Sequence, residues 1–85
     1  MTEKQFEKEL LKLIKKYEEQ SVSIEVFVEE ARKLADKVEH KQIADIEDEE
    51  LGWAMYWIEE IDYYGLEDVM QNRFNFFDFL HSRQS

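Results

Sequence analysis

Three residue types are missing or scarce in this 85-residue chain, and each absence narrows what it can be. There is no cysteine, which excludes disulfide bonds and thiolate metal sites and fits a reducing compartment. There is no proline and there are only two glycines, so few residues interrupt regular backbone structure. The scarcity of these breakers favours helices that are joined by short connections.

Long apolar runs are also missing. No uninterrupted run approaches the roughly 18 apolar residues of a membrane-spanning helix. The first residues, Met1 to Gln5, lack the basic and apolar regions of a secretion signal. We therefore expect a soluble, cytoplasmic protein with no membrane contact. A hydrophobic content of 44% argues against disorder, and the length fits one helical domain over residues 1–85.

Basic residues are absent from the stretch between Gln42 and Asn72. The same stretch, called the acidic segment below, contains ten acids: Asp45, Glu47, Asp48, Glu49, Glu50, Glu59, Glu60, Asp62, Glu67 and Asp68. Residues 1–41 hold ten acids against nine bases, so the net charge of −10 lies in the acidic segment. Because clustered like charges work against the compact state, we interpret this segment as a surface for a partner.

The sign of this charge excludes some partners and favours others. Nucleic acid and anionic lipid are both repelled by an acidic surface, so we predict no direct binding to either. A positively charged protein is attracted over a long range, which accelerates its association. The predicted partner is a basic protein, namely a nuclease or another nucleic-acid-binding protein.

Apolar residues recur at helical spacing in four segments. They predict helices over about 3–19, 24–40, 46–64 and 66–81. Short connections let neighbouring helices pack against each other. The predicted fold is all-α, a small antiparallel four-helix bundle.

Residues that favour helix ends support these boundaries. Thr2 and Ser23 are the expected N-caps of the first two helices. The N-cap of the third helix is either Asp45 or Asp48, and Gly65 is expected to end that helix.

The third helix has two different faces when its residues are placed 100° apart. The predicted core face consists of Leu51, Ala54, Met55, Ile58 and Ile61. The opposite, exposed arc takes Asp48, Glu49, Gly52, Tyr56, Glu59, Glu60 and Tyr63, with Trp53, Trp57 and Tyr64 along its border. Exposed tyrosines among acids combine anchor area with carboxylates that match arginine side chains.

This arc is the main candidate for a functional site. The predicted partner-binding residues are Asp48, Glu49, Tyr56, Glu59, Glu60, Tyr63, Glu67 and Asp68. The alternative is that the charges form only a solvated face, with Trp53, Trp57 and Tyr64 in the core of the bundle. The sequence leaves both interpretations open.

Catalytic and metal-binding signatures are weak or missing. Asp45, Glu47 and Glu49 have the spacing that begins a calcium loop, but the glycine of such a loop is misplaced and no glutamate closes it. There is no nucleophile motif or glycine-rich phosphate loop, and neither His40 nor His81 is a convincing general base. We therefore predict no enzymatic activity, no metal and no cofactor.

The C-terminal segment is rich in phenylalanine. Phe74, Phe76, Phe77 and Phe79 spread apolar surface almost all round the fourth helix. The segment is expected either to fill the core or to mediate a homodimer through Phe74, Phe76 and Phe79. The second option makes the protein a helical adaptor or homodimeric interaction protein.

The N-terminal half resembles a known family. Leu10 to Tyr17, followed by Ser21 to Phe27, is similar to the opening of colicin D-type immunity proteins, and the Glu49-Glu50-Leu51 start of the third helix is compatible with them. Proteins of that family are small acidic helical bundles. The resemblance implies inhibition of a toxin nuclease by acids that occupy its basic substrate cleft.

Together, these observations predict an inhibitor that acts by charge mimicry. Two versions share this mechanism, a bacteriocin immunity protein and a phage anti-defence protein of the anti-restriction or anti-CRISPR type. The sequence does not choose between them.

Overall fold

The computed structural model describes residues 2–38 and 46–83, and this part of the chain is helical without any strand. It contains five α-helices: α1 Glu3–Glu18, α2 Ile24–Asp36, α3 Glu49–Tyr64, α4 Leu66–Asp68 and α5 Phe76–Arg83. The all-α prediction is confirmed, whereas the five helices do not confirm a four-helix bundle. In the described ranges, no helix combines the length and apolar character needed to cross a membrane.

The starts of α1 and α2 follow the sequence prediction. The Thr2 hydroxyl accepts a hydrogen bond from the Gln5 amide, and the Gln5 side chain accepts one from the Thr2 amide, which completes a capping box. The Ser23 hydroxyl caps α2 by accepting from the Val26 amide. Each cap satisfies an amide that has no partner inside its helix.

The predicted limits of α2 and α3 need correction. The second helix ends at Asp36 instead of residue 40, and residues 39–45, including the alternative cap Asp45, lie outside the described residues. The third helix begins at Glu49 instead of residue 46 because Asp48 is its N-cap, with its carboxylate accepting a hydrogen bond from the Leu51 amide at 3.1 Å. Gly65 ends the helix as predicted, with a φ of 86° that glycine adopts without strain.

The single fourth helix predicted over 66–81 is wrong. Helix α4 continues into a π-helical turn, Val69–Arg73, and Phe74 is extended at φ −152° and ψ 114°. The side chain of Asn75 then accepts a hydrogen bond from the Asp78 amide at the start of α5. An extended residue followed by a capping asparagine therefore divides the segment into two.

All five helices contribute buried side chains to the core. Fully buried side chains come from α1, α2, α3 and α5, and the largest are Phe6, Phe27, Phe76, Phe79, Leu10, Ile14, Leu51, Ile58 and Leu80. Helix α1 packs against α2 and α5, and α2 also packs against α3. The Phe27 ring lies 4.7 Å from Tyr17 and 6.1 Å from Phe76, so it joins three helices.

The phenylalanine-rich tail fills the core, which was one of its two expected roles. Phe76 and Phe79 are 0% and 1% exposed, and Phe74 is half-buried. A homodimer through these three rings would require two of them to leave the core. The structure therefore gives the homodimer and adaptor interpretation no support.

Candidate partner-binding face on helix α3

Helix α3 has the two faces that its sequence predicts. Its predicted core residues, Leu51, Ala54, Met55, Ile58 and Ile61, are all buried. The exposed side carries Glu49, Glu59, Tyr63 and Tyr64, while Glu60 and Tyr56 are half-buried. Gly52 was expected on the exposed side and is buried instead. Because glycine has no side chain, its burial does not change which acids are exposed on this side of α3.

The predicted acids divide into two groups according to their contacts. Glu49, Glu59, Glu60 and Glu67 have no hydrogen-bond or ion-pair partner for their carboxylates among residues 2–38 and 46–83. These four side chains are called the unpaired acids below. No other described side chain therefore occupies these carboxylates.

Four other acids of this region, Asp48, Glu50, Asp62 and Asp68, are already paired within the protein. Asp62 forms an ion pair with Arg32. Asp68 accepts a hydrogen bond of 2.6 Å from the Asn72 side chain and lies 3.6 Å from Arg73. Asp48 and Asp68 were both predicted to bind a partner, which stays a prediction, and the structure gives their carboxylates intramolecular contacts.

Asp48 belongs to a charged cluster around Arg83 that sequence reasoning missed. The guanidinium donates two hydrogen bonds to the Asp48 carboxylate, at 2.7 and 2.8 Å, and further ones to Glu7 at 2.6 Å and Glu50 at 3.1 Å. Arg83 is only 18% exposed, so water screens these contacts weakly. The cluster ties the C-terminus of α5 to the starts of α1 and α3.

The electrostatic effect of this cluster is visible in two pKa shifts. The hydrogen bond from Arg83 is the main cause that lowers the pKa of Asp48 below its ordinary value of 3.8. Desolvation opposes this shift, and the amide of Leu51 assists it. In turn, hydrogen bonding to Asp48 raises the pKa of Arg83. The two ions therefore stabilise each other within the folded protein.

Replacement of Arg83 by methionine is expected to lower the free energy of unfolding by about 2 kcal/mol, because charged hydrogen bonds contribute about 1.5–3 kcal/mol and three carboxylates would lose their cation. For a domain of this size the melting temperature should fall by roughly 8–16 °C. Thermal and urea denaturation at pH 7 measure the loss. Arg32→Met is the matched control, since it breaks an exposed pair, and should cost less than about 1 kcal/mol.

The same contact predicts a pH dependence. Because the pKa of Asp48 is lower in the folded state, its contribution is complete above its ordinary pKa and is lost as the pH falls through the lowered value. The difference in stability between wild type and Arg83→Met should therefore be full at pH 7 and shrink below about pH 4. A difference that stayed constant down to acidic pH would exclude this ion pair as its source.

A row of aromatic rings runs along α3 beside the unpaired acids. Neighbouring ring centroids in the order Trp53, Tyr56, Trp57, Tyr64 and Tyr63 lie 5.7, 4.9, 5.8 and 4.8 Å apart, each pair edge to face. Trp53 is 47% exposed and Tyr63 is 81% exposed. The alternative that places both tryptophans in the core is therefore wrong for Trp53, while Trp57 is half-buried.

This aromatic row already binds one cation from the protein itself. The Arg73 guanidinium lies 4.6 Å from the centre of the Tyr64 ring and 5.9 Å from that of Trp57. Such a cation–π contact shows that ring faces on this side of α3 are accessible to an arginine. Trp53, Trp57, Arg73 and Phe74 also line a shallow depression of about 390 Å³ next to the row.

Carboxylates and aromatic rings together form the acidic–aromatic face, defined as the unpaired acids with Trp53, Tyr56, Tyr63 and Tyr64. Its carboxylates can accept bidentate hydrogen bonds from arginine, and its rings can pack on the arginine side chain. Within the two described ranges, no group of three or more His, Cys, Asp or Glu side chains is arranged to hold a metal ion. What this face can do chemically is bind cationic groups.

Comparisons with known proteins add no relative: no protein-family model, curated protein or solved structure matches this chain. The resemblance of the N-terminal half to colicin D-type immunity proteins stays a prediction.

Proposed function

We propose that this protein is a small acidic inhibitor that binds the basic site of a nucleic-acid-processing protein and blocks it by charge mimicry. The observation that carries the proposal is the division of the acids. Four acids near α3 are paired with arginines, namely Asp48, Glu50, Asp62 and Asp68, whereas the unpaired acids have no intramolecular partner in the described residues.

The spacing of the unpaired acids supports this proposal. Glu49 and Glu60 lie eleven positions apart on α3, which is close to three full helical turns, so they share one side of the helix. Glu49 and Glu60 are separated by about 16 Å along the helix axis, at 1.5 Å per residue. A basic cleft that tracks a phosphate backbone would meet negative charge over a comparable length.

The aromatic rings give the inhibitor apolar contact area, which a phosphate chain lacks. Tyr63 follows Glu59 by one helical turn on α3, so its exposed ring lies beside that carboxylate. Tyrosine and tryptophan bury large areas at little entropic cost and dominate binding energy at interfaces. The charges thus accelerate and orient association, and the rings slow dissociation.

In the proposed mechanism the protein performs no catalysis and needs no cofactor. The partner's lysines and arginines contact the acidic–aromatic face, and the substrate nucleic acid is excluded from the same cleft. This mechanism is common to toxin-nuclease immunity and to phage anti-defence, and both versions stay open.

The proposal is tested by capture of the partner followed by a salt titration. The immobilised protein is exposed to a cell extract that has been treated with nuclease, because nucleic acid could otherwise bridge two proteins. The basic protein that is retained is then purified. Its affinity should fall steeply as salt is raised from 50 to 200 mM, because exposed charge pairs are screened. An affinity that is insensitive to salt, or a retained protein that does not bind nucleic acid, would refute charge mimicry.

A further inference from the structure

A second surface of the protein, on the α2 side of α3, has a different character. Two neighbouring depressions of about 500 and about 280 Å³ meet at Ile24 and Leu66. Val28 lines the first, and Met70 and Phe77 line the second. These five apolar side chains form one continuous surface depression between α2 and the α4–α5 region, called the apolar groove below.

The apolar groove leaves part of the surface of four of its side chains in contact with water. Ile24 is 42% exposed although it is the first residue of α2, and Val28, Met70 and Phe77 are only half-buried. Isolated apolar residues on a surface are ordinary, but a contiguous concave set rimmed by polar residues is typical of an interaction site.

Negative charge surrounds this groove. Glu25 and Glu29 border its first depression and Glu67 borders its second. The Arg32 side chain at the same rim is paired with Asp62. The Lys33 side chain forms exposed ion pairs with both Glu29 and Glu30. The rim is therefore net acidic, which repels another acidic molecule. A second copy of this chain, with its net charge of −10, is disfavoured for the same reason.

We propose that the apolar groove binds a basic amphipathic helix of a partner protein. Two depressions in a row fit two apolar side chains from one face of a helix, at the i, i+3/i+4 and i+7 spacing of groove-bound helices. Lysines or arginines beside that apolar stripe would face Glu25, Glu29 and Glu67. An extended peptide has no sheet edge to join, because the described residues contain no strand.

This second site does not depend on the proposed inhibitor function. Glu59 and Glu60 do not line the groove, and Glu67 is the one residue that the groove shares with the acidic–aromatic face. A defect at one surface can therefore be separated from a defect at the other.

The test uses the full-length protein and a synthetic helical peptide of about four turns. The peptide has leucines at i, i+3, i+4 and i+7 and lysines beside them, and a control peptide has the same composition with the leucines distributed all round. Fluorescence anisotropy measures the Kd, and methyl NMR locates the contact. We expect saturable binding of the first peptide, at least tenfold weaker binding of the control, and shifts at Ile24, Val28 and Met70.

The chain offers a closely matched pair of variants. Ile24 and Val26 are both apolar, both 42% exposed and both in the first turn of α2, but only Ile24 lines the groove. Ile24→Lys should weaken peptide binding at least tenfold, whereas Val26→Lys and the double variant Glu59→Lys/Glu60→Lys should stay within twofold. The proposal would be overturned if Ile24→Lys and Val26→Lys had equal effects, or if both peptides bound equally well or not at all. NMR shifts centred on Val26 and Leu34 would also overturn it.

Discussion

Reversal of both Glu59 and Glu60 to lysine is expected to weaken binding to the captured basic partner by at least 100-fold. These carboxylates have no partner among the described residues, so their substitution breaks no internal ion pair there. Each new lysine places like charges together at the interface, which costs several kcal/mol. A 100-fold loss corresponds to about 2.7 kcal/mol. Surface plasmon resonance at low and physiological salt measures it.

The matched control for this experiment is the double variant Glu19→Lys/Asp36→Lys. It changes the net charge by the same amount on two exposed positions, one after the end of α1 and the other at the end of α2. If only the total charge of the protein attracts the partner, both double variants weaken binding equally. Our account predicts that the control loses less than fivefold and that its loss appears mainly in the association rate.

Truncation of Phe76 to alanine is expected to reduce the free energy of unfolding by about 3–5 kcal/mol. The ring is 0% exposed and lies 6.1 Å from Phe27 and 5.0 Å from Phe74, so its removal leaves a cavity between α2 and α5. Small domains have only about 5–15 kcal/mol of stability, so the variant should be near its unfolding limit. Urea denaturation followed by circular dichroism gives the value.

The neighbouring ring provides the control for this prediction. Phe77 is half-buried, and the centre of its ring lies 5.7 Å from that of Tyr17. Phe77→Ala should therefore cost clearly less, about 1–2 kcal/mol, because less apolar area returns to water. If Phe76→Ala were as stable as wild type but altered the oligomeric state, Phe76 would act at an interface and its place in the core would be wrong.

The main features of α3 could be predicted from sequence because they depend on local periodicity. Placing residues at 100° intervals identifies Leu51, Ala54 and Ile58 as buried and Glu59 as exposed. The caps Thr2 and Ser23 are local signals of the same kind, since the groups that they satisfy lie three residues away.

The division of the fourth helix was not predictable from the same periodicity. Phe74 to Phe79 are apolar enough to continue a helix, and a tertiary requirement decides against it. Because Phe74 is extended, α5 can begin after the capping residue Asn75 and bury Phe76 and Phe79 against other helices. Tertiary packing overrides local propensity here.

The identity of the unpaired acids could not be predicted either. The acidic segment shows ten similar carboxylates in sequence, and contacts between distant residues separate them. Arg83 reaches Asp48 across 35 positions and Glu7 across 76. The one signal in the sequence was the scarcity of bases: Arg73 and Arg83 are the only two after Lys41, so each was a candidate to neutralise an acid.

The most direct test of the central claim is competition between this protein and nucleic acid for one site on the captured partner. A fluorescent nucleic-acid duplex is first bound to the partner, and the wild-type protein is then titrated into the complex. Charge mimicry predicts complete displacement of the duplex at a one-to-one ratio of protein to partner, with at least 100-fold more of the Glu59→Lys/Glu60→Lys variant required. A ternary complex that retains the duplex at saturating wild-type protein would contradict it.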